Sequence, residues 1–223
     1  MELNLQRHLF GLRYSQWVFV KKFLVKPIPV RIEKSRTPLK KIVEQAVEYL
    51  NDPAGLVFFY DEARFGLQPQ IARQWALRGK SVSAPIKTGY SNFYLYAAVD
   101  PKGGESFILE LPRVDTEVVN IFLKELSEAY SEKDILLIWD QAGYHKAKDL
   151  LIPANITIAP LPPYSPELNP AERLWRWLRR HVCRNRLFKS LDEQADALAQ
   201  AIKTLTAKQI ASMCNCNYLL HNN

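Results

Sequence analysis

LPPYSPELNPAERLWRWLRR, residues 161–180, is the stretch on which the reading of this chain turns. Five prolines between 160 and 170 stiffen the backbone and deliver a carboxylate, Glu172, onto the first turn of an arginine-rich helix. On a helical wheel Ala171, Leu174, Trp175, Leu178 and Val182 make one apolar face, and Glu172 lies at its edge beside Arg176 and Arg179. Glu172 also has a purely structural explanation. Asn169 fits as the cap of a capping box that Glu172 would close, with Pro170 at the first helical position. Ser190 to Glu193 and Thr206 to Gln209 repeat that pattern, so the spacing alone does not make Glu172 chemical.

Working outward, LLIWDQAGYH around Asp140 and FFYDEARF around Asp61 each end an apolar run on an aspartate. LVFFY (56–60) and DILLIW (134–139) are too apolar for anything but central strands, and ITIAPL (156–161) reads as a third buried strand. SVSAPI (81–86), NFYLYAAVD (92–100) and ESFILEL (105–111) add strands, joined by Gly89 and by a turn at Pro101, Gly103 and Gly104. Asp115 caps a predicted helix that turns Val118, Val119, Phe122, Leu123 and Leu126 inward, and LKKIVEQAVEYL (39–50) carries another helical face. Residues 1–40 are basic, hold three prolines and show no sustained periodicity. They read as an N-terminal arm or the remnant of a preceding domain, with one catalytic-type domain over 41–223. The element order is α/β. It resembles the ribonuclease H-like fold, a mixed sheet flanked by helices, here with a C-terminal helical tail.

At 223 residues and 48% hydrophobic the chain can bury a full core as one large domain. Thirty Lys plus Arg against 23 Asp plus Glu leave a net charge of +7, which favours a polyanionic partner over a neutral one. Cys183, Cys214 and Cys216 are too few and too odd for a disulfide framework. Cys214 and Cys216 would need His221 and another ligand to close a zinc site, so they read as ordinary thiols. No segment is long and apolar enough to span a bilayer, and the composition predicts a soluble intracellular chain with no membrane partner.

Three acids on three separate elements, Asp61, Asp140 and Glu172, suggest a shared site. Open sheets place their chemistry just beyond strand ends, where both aspartates fall in this reading. Clustered carboxylates raise one another's pKa unless cations neutralise them, and two hard divalent metals are the natural occupants. Such a pair, about 4 Å apart, suits in-line displacement at phosphorus. The plain alternative for Asp61 and Glu62, and for Asp140, is an acid that ends a strand and starts a turn. Between residues 173 and 189 stand Arg173, Arg176, Arg179, Arg180, Arg184, Arg186 and Lys189 with no acid among them, a one-sign run that reads as a phosphate track. Arg64, Arg73, Arg78, Lys80 and Lys87 form a looser basic group, with Gly79 in a turn and Trp75 as a packing anchor. Trp175 reads as core, and Trp177 as core or as a platform for a base. His145, five residues after Asp140, orients a metal-bound group or serves only in the structure.

DEARFGLQP, then WALRGK, then WDQAGYH, then LPPYSPELNPAERLW together resemble the catalytic domain of insertion-sequence transposases of the IS630 group, within the Tc1/mariner superfamily. The likeness is close over residues 55–185 and looser over 40–220. It implies that Asp61, Asp140 and Glu172 form the catalytic triad, and that two magnesium or manganese ions are the cofactor. The 31 residues between Asp140 and Glu172 match the spacing usual in the superfamily. It further implies double-stranded DNA as partner through Arg64, Arg78, Lys80, Arg173, Arg176, Arg179 and Arg180, cleavage at element ends and joining to a TA target. Assembly as a dimer or larger on DNA, in the bacterial cytosol or nucleoid, belongs to the same resemblance. Gln141 stands where the group usually has Asn, and with His145 it is expected to support the acids. The forty residues ahead of the domain are too few for the helix-turn-helix modules that read element ends, which points to a separate upstream product or a truncation. The competing classes are a DNA-binding remnant or regulator of transposition without catalysis, and a ribonuclease H-like structure-specific nuclease that cuts without joining.

Overall fold

Five apolar runs become one mixed sheet because their alternate residues find two separate helical layers to pack against. In the computed structural model, which describes residues 32–68, 70–73, 75–79 and 91–220, the strands are β1 (Gly55–Gly66), β2 (Asn92–Val99), β3 (Ser106–Leu111), β4 (Asp134–Trp139) and β5 (Ile156–Pro160). The sheet order is β3-β2-β1-β4-β5. β1 pairs antiparallel with β2 and parallel with β4, β3 pairs antiparallel with β2, and β5 parallel with β4. The helices are α1 (Ile32–Asn51), α2 (Thr116–Ala129), α3 (Ala171–Leu178), α4 (Leu191–Lys203), α5 (Ala207–Met213) and α6 (Asn217–Leu220). The expected strand at 81–86, with Lys80, Lys87, Gly89 and His221, lies outside the described residues, as does the arm up to residue 31.

The chain divides into two units, a small one of residues 1–30 and 73–83 and a large one of residues 31–72 and 84–223. In the small unit Arg78 is exposed and Gly79 takes a left-handed φ of 82°, the freedom its turn requires. Trp75, expected as a packing anchor, is instead 83% exposed.

In the large unit one face of the sheet carries Phe58, Tyr60, Tyr96, Ala98, Ile135 and Leu137 against the buried stripe of α2. That stripe is Val118, Val119, Phe122, Leu123 and Leu126, as its periodicity predicts, and the Asp115 side chain caps the helix at Val118 N. On the other face Val57, Phe59, Leu136 and Ile138 meet α1 and α6. Further along that same face Ala63, Phe65, Leu95 and Ala97 meet α3 and α4. Each fully buried large aliphatic or aromatic side chain contributes roughly 1.5–3 kcal/mol, so the two layers dominate the stability of the unit.

Two boundaries differ from the sequence reading. α1 begins at Ile32 and passes through Pro38, so the expected division between residues 40 and 41 falls inside a helix. β1 does not stop at Tyr60. Its parallel pairing with β4 ends at Phe59 opposite Ile138, but the antiparallel ladder with β2 carries it on to Gly66 opposite Asn92. Asp61 therefore lies within a strand, just past the point where β4 leaves the sheet.

Candidate active site

Strand alternation sorts the acidic pair of β1. Asp61 shares the face of Ala63 and Phe65, and its Oδ2 accepts a hydrogen bond of 2.9 Å from the Trp175 indole on α3. Glu62 points the opposite way, where its side chain is only 6% exposed and accepts 2.6 Å and 3.2 Å hydrogen bonds from Tyr60 and His145. Asp61 and Glu62 thus lie on opposite faces of the sheet, Asp61 toward α3 and Glu62 toward Tyr60 and His145.

Asp140 follows the last residue of β4 and turns the chain, its Oδ1 accepting from Ala142 N at 3.0 Å. The tight turn Gly143–Lys146 then brings His145 back, with Nδ1 2.9 Å from Asp140 Oδ1 and Nε2 3.2 Å from Glu62 Oε1. The imidazole lies flat on Trp139, with ring centroids 4.2 Å apart and planes 4° apart. Burial alone would lower the pKa of this histidine, but the hydrogen bonds to Asp140 and Glu62 prevail and raise it to about 9. Protonated, His145 donates to both carboxylates, and its bond holds Asp140 below the usual carboxylate range. Gln141 ties the same corner to the proline run by donating to Leu161 O at 2.8 Å.

Asn169 does not cap a box with Glu172. Its amide nitrogen donates to Tyr60 O at 2.8 Å and its oxygen accepts from Ala171 N at 3.1 Å, all of it buried. Pro170 stands at the assigned cap position and its ring caps nothing, so the first N–H of the helix, that of Ala171, is met by the Asn169 side chain from one residue further back, without the return bond from Glu172 that a capping box needs. Asn169 instead fastens the start of α3 to the backbone of β1 one residue before Asp61. The Glu172 side chain is left free of capping duty. The boxes expected at the later helices do form in their essentials. Ser190 accepts from Glu193 N, and Thr206 and Gln209 cap reciprocally. Glu193 itself reaches back to Lys189 N.

One cavity of about 490 Å³ collects these groups: Asp61, Asp140 and Glu172 all line it, with Gln141, Asn169 and the segment 161–166. Asp61 has its pKa raised well above the ordinary carboxylate value by burial first, then by repulsion from Glu172 and Glu62. Among the described residues no three His, Cys, Asp or Glu side chains converge on one point. The acids line the walls of a shared space. Their all-oxygen donor set, and the repulsion between Asp61 and Glu172, fit hard divalent cations, for which Asp61, Asp140 and Glu172 are the ligands at hand.

Glu172 also borders a second, shallower depression of about 370 Å³, lined by Arg176, Arg179, Arg180 and Arg184 and by residues 70–72. The loop 70–72 is laced to the end of the π-helical turn Arg179–Cys183. Asn185, at a left-handed φ of 54°, accepts from Ala72 N and donates its own N–H to Gln70 O. Arg179 lies over the Phe65 ring at 5.4 Å. Of the other basic residues singled out, Arg173 donates to Asn215 O and lies away from this depression. Arg64 lines a separate pocket with Gln70, Ser91 and Gln194. Arg78 belongs to the small unit and Lys80 lies outside the described residues. Trp177 is half-buried and stacks on His181 at 4.6 Å. Cys183, Cys214 and Cys216 are free and buried, and burial pushes the Cys214 thiol up to about 12.

Sequence reasoning missed Glu62, Trp175 and Asn169 as site supports. Two-residue alternation from Tyr60 would have separated Asp61 from Glu62. The tether from Asn169 leaves no signal, because Asn before a helix reads first as a cap. Tyr164 was missed as well. It lines the same cavity, fully exposed, at a left-handed φ of 56°.

Residues 56–194 match the family described as DDE superfamily endonuclease. An uncharacterized protein of Sinorhizobium fredii, y4pE/y4sA, is 42% identical over 101 residues, 45% of this chain and 75% of that protein. The insertion element IS630 uncharacterized 39 kDa protein of Shigella sonnei is 29% identical over 140 residues, 60% of this chain and 41% of that protein. The mariner Mos1 paired end complex with Mg superposes with a TM-score of 0.67 at 16% identity, over 90% of this chain and 63% of that one. For the catalytic domain of Mos1 mariner transposase the TM-score is 0.59 at 14% identity, over 89% and 91%. These likenesses show the ribonuclease H-like fold expected from the element order. The chain spans well under half of the IS630 protein and less than two thirds of the Mos1 chain in that complex. Among the described residues no helix is long and apolar enough to cross a membrane.

Proposed function

Because the chain belongs to the DDE superfamily endonucleases, we propose that it cuts DNA at the ends of an insertion sequence and joins the freed strand to a target, with Asp61, Asp140 and Glu172 as its catalytic carboxylates. The observation that carries this reading is that three acids from β1, the end of β4 and the start of α3 line one cavity, which adjoins a depression walled by four arginines. Asp61, Asp140 and Glu172 would hold two magnesium or manganese ions. When bound, these supply activation of the attacking oxygen and stabilisation of the leaving one at phosphorus. The similar Mos1 complexes are described with Mg, with Mn and with a transposon end, which supports the same ligands here.

The chain's own residues perform the positioning. Trp175 fixes one oxygen of Asp61 by its indole N–H, and His145 holds Asp140 ionised and oriented from outside the cavity. Arg176, Arg179, Arg180 and Arg184 take the backbone phosphates of the double strand beside Glu172. Arg64, Arg78, Lys80 and Arg173 are assigned to further contacts with DNA. Residues 41–223, with the helix that leads into them, form the catalytic domain. Recognition of the element end, and of a TA target, falls to a partner bearing helix-turn-helix modules and to a dimer assembled on DNA in the bacterial cytosol or nucleoid.

The test is to incubate the chain with labelled element-end duplex and magnesium, and to look for nicks and joined products. Asp61→Asn, Asp140→Asn and Glu172→Gln should each abolish both while the protein stays folded. Losses in combination should not add, because the three act as one unit. Glu172→Gln is informative on charge alone, since Glu172 closes no capping box. Activity like that of the wild type in any two of these variants would refute the assignment, and nicks without joined products would make the protein a nuclease only.

A further inference from the structure

Tyr164 is the least explained side chain in the cavity wall. Its ring is 100% exposed, so it buries nothing, and its backbone sits at φ 56°, a region that a bulky L-residue avoids and glycine enters freely. Neither the strain nor the exposure is offset by packing. Strain of this kind persists where surrounding structure over-determines it, and here Pro162, Pro163 and Pro166 have fixed φ angles on both sides, with the Ser165 hydroxyl donating to Pro163 O at 3.3 Å. The result is an aromatic side chain held in solvent in the lining of the cavity that Asp61, Asp140 and Glu172 also line.

From this juxtaposition we propose that Tyr164 is a stacking platform for the nucleobase next to the phosphate being cut. The inference rests on the functional reading above and specifies how that site takes its strand. A ligand with a flat π-face and an adjoining phosphate matches an exposed aromatic ring, a metal-binding carboxylate wall and a neighbouring arginine depression together. A base can reach the ring only when it has left the duplex stack, so the strand enters frayed, nicked or with one base turned out. Stacking is tolerant of base identity, which makes Tyr164 a positioning group rather than a reader of sequence.

The experiment uses the full chain and short duplexes carrying a single unpaired 2-aminopurine beside a nick, so that the displaced base and not end recognition sets the register, bound in EDTA so that no cleavage occurs. The bound probe should be dim with the wild type and Tyr164→Phe, and bright with Tyr164→Ala. Loss of one stacked base weakens binding by roughly 5- to 150-fold. For Tyr164→Ala the slope of log affinity against log salt should stay that of the wild type, because a ring releases no counterions. Tyr164→Gly, which also removes the unfavourable φ, should match Tyr164→Ala in binding while melting no lower than the wild type. Should Tyr164→Ala bind within twofold of the wild type and leave every probe unchanged, the inference falls while the functional reading stands. Failure of the wild type to bind or cut any DNA overturns both.

Discussion

Asn169 offers the sharpest test of how the site is held, because a single side chain joins the strand of Asp61 to the helix of Glu172. Asn169→Ala removes a 2.8 Å hydrogen bond to Tyr60 O and a 3.1 Å hydrogen bond from Ala171 N, both in a place where the asparagine is only 4% exposed. Each buried backbone group left unpaired costs about 1–3 kcal/mol. The Ala171 N–H lies at a helix start, where partners are easier to find, so a total of about 3 kcal/mol is the reasoned figure. For a unit of this size that corresponds to a fall of roughly 6–12 °C in melting temperature. Urea denaturation followed by tryptophan fluorescence measures the loss directly, and cleavage assayed at a temperature where the variant is folded measures its effect on the site. With Glu172 no longer fastened to β1, kcat should drop by more than KM for DNA changes, since Asn169 itself does not line the arginine depression. Asn169→Asp keeps the acceptor but sets a carboxylate against Tyr60 O, and should be at least as damaging. If Asn169→Ala lies within about 0.5 kcal/mol of the wild type, the range of ordinary surface changes, then the tether contributes nothing and the reasoning is wrong.

Two further outcomes follow from the same corner and from the neighbouring surface. His145→Ala should cost about 3–5 kcal/mol, because it leaves Glu62 as a buried carboxylate without its cation; adding Glu62→Gln should recover part of it, and a loss under about 1 kcal/mol in urea would show that the pair is idle. Replacing Arg176, Arg179 and Arg180 together by Ala should weaken DNA binding at every sequence and reduce the salt slope by roughly 0.9 for each phosphate no longer neutralised; an unchanged slope in a titration from low to moderate salt would place the phosphate track elsewhere.

The strands and helical faces were legible because burial imposes period. The inward set of α2 is the set its spacing names, and DILLIW becomes β4 residue for residue. The three acids were legible as a group only through their positions at element ends and through the family resemblance. What escaped was decided by tertiary partners. β1 runs past Asp61 because β2, far along the chain, offers a ladder as far as Asn92. Asn169 bonds across to Tyr60, a pairing between residues 109 apart that no local pattern encodes. Trp175 was rightly expected in the core at 1% exposure, yet its indole N–H still reaches Asp61, a polar handle that an apolar stripe on a wheel conceals.

The central pairing of β1 with β4 bears on how the protein is made. Phe59 faces Ile138 across that pair, so the two aspartates cannot become neighbours until at least 79 further residues have left the ribosome, and non-local pairing of this kind is slow to form. Glu172 emerges later still, 111 residues after Asp61, a delay of about 6–22 s at ordinary rates of synthesis. Arg176, Arg179 and Arg180 follow within eight residues of it. The third of the proposed cutting groups and the proposed grip on DNA thus arrive together, and on that proposal a growing or interrupted chain that ends before residue 172 is an unarmed one.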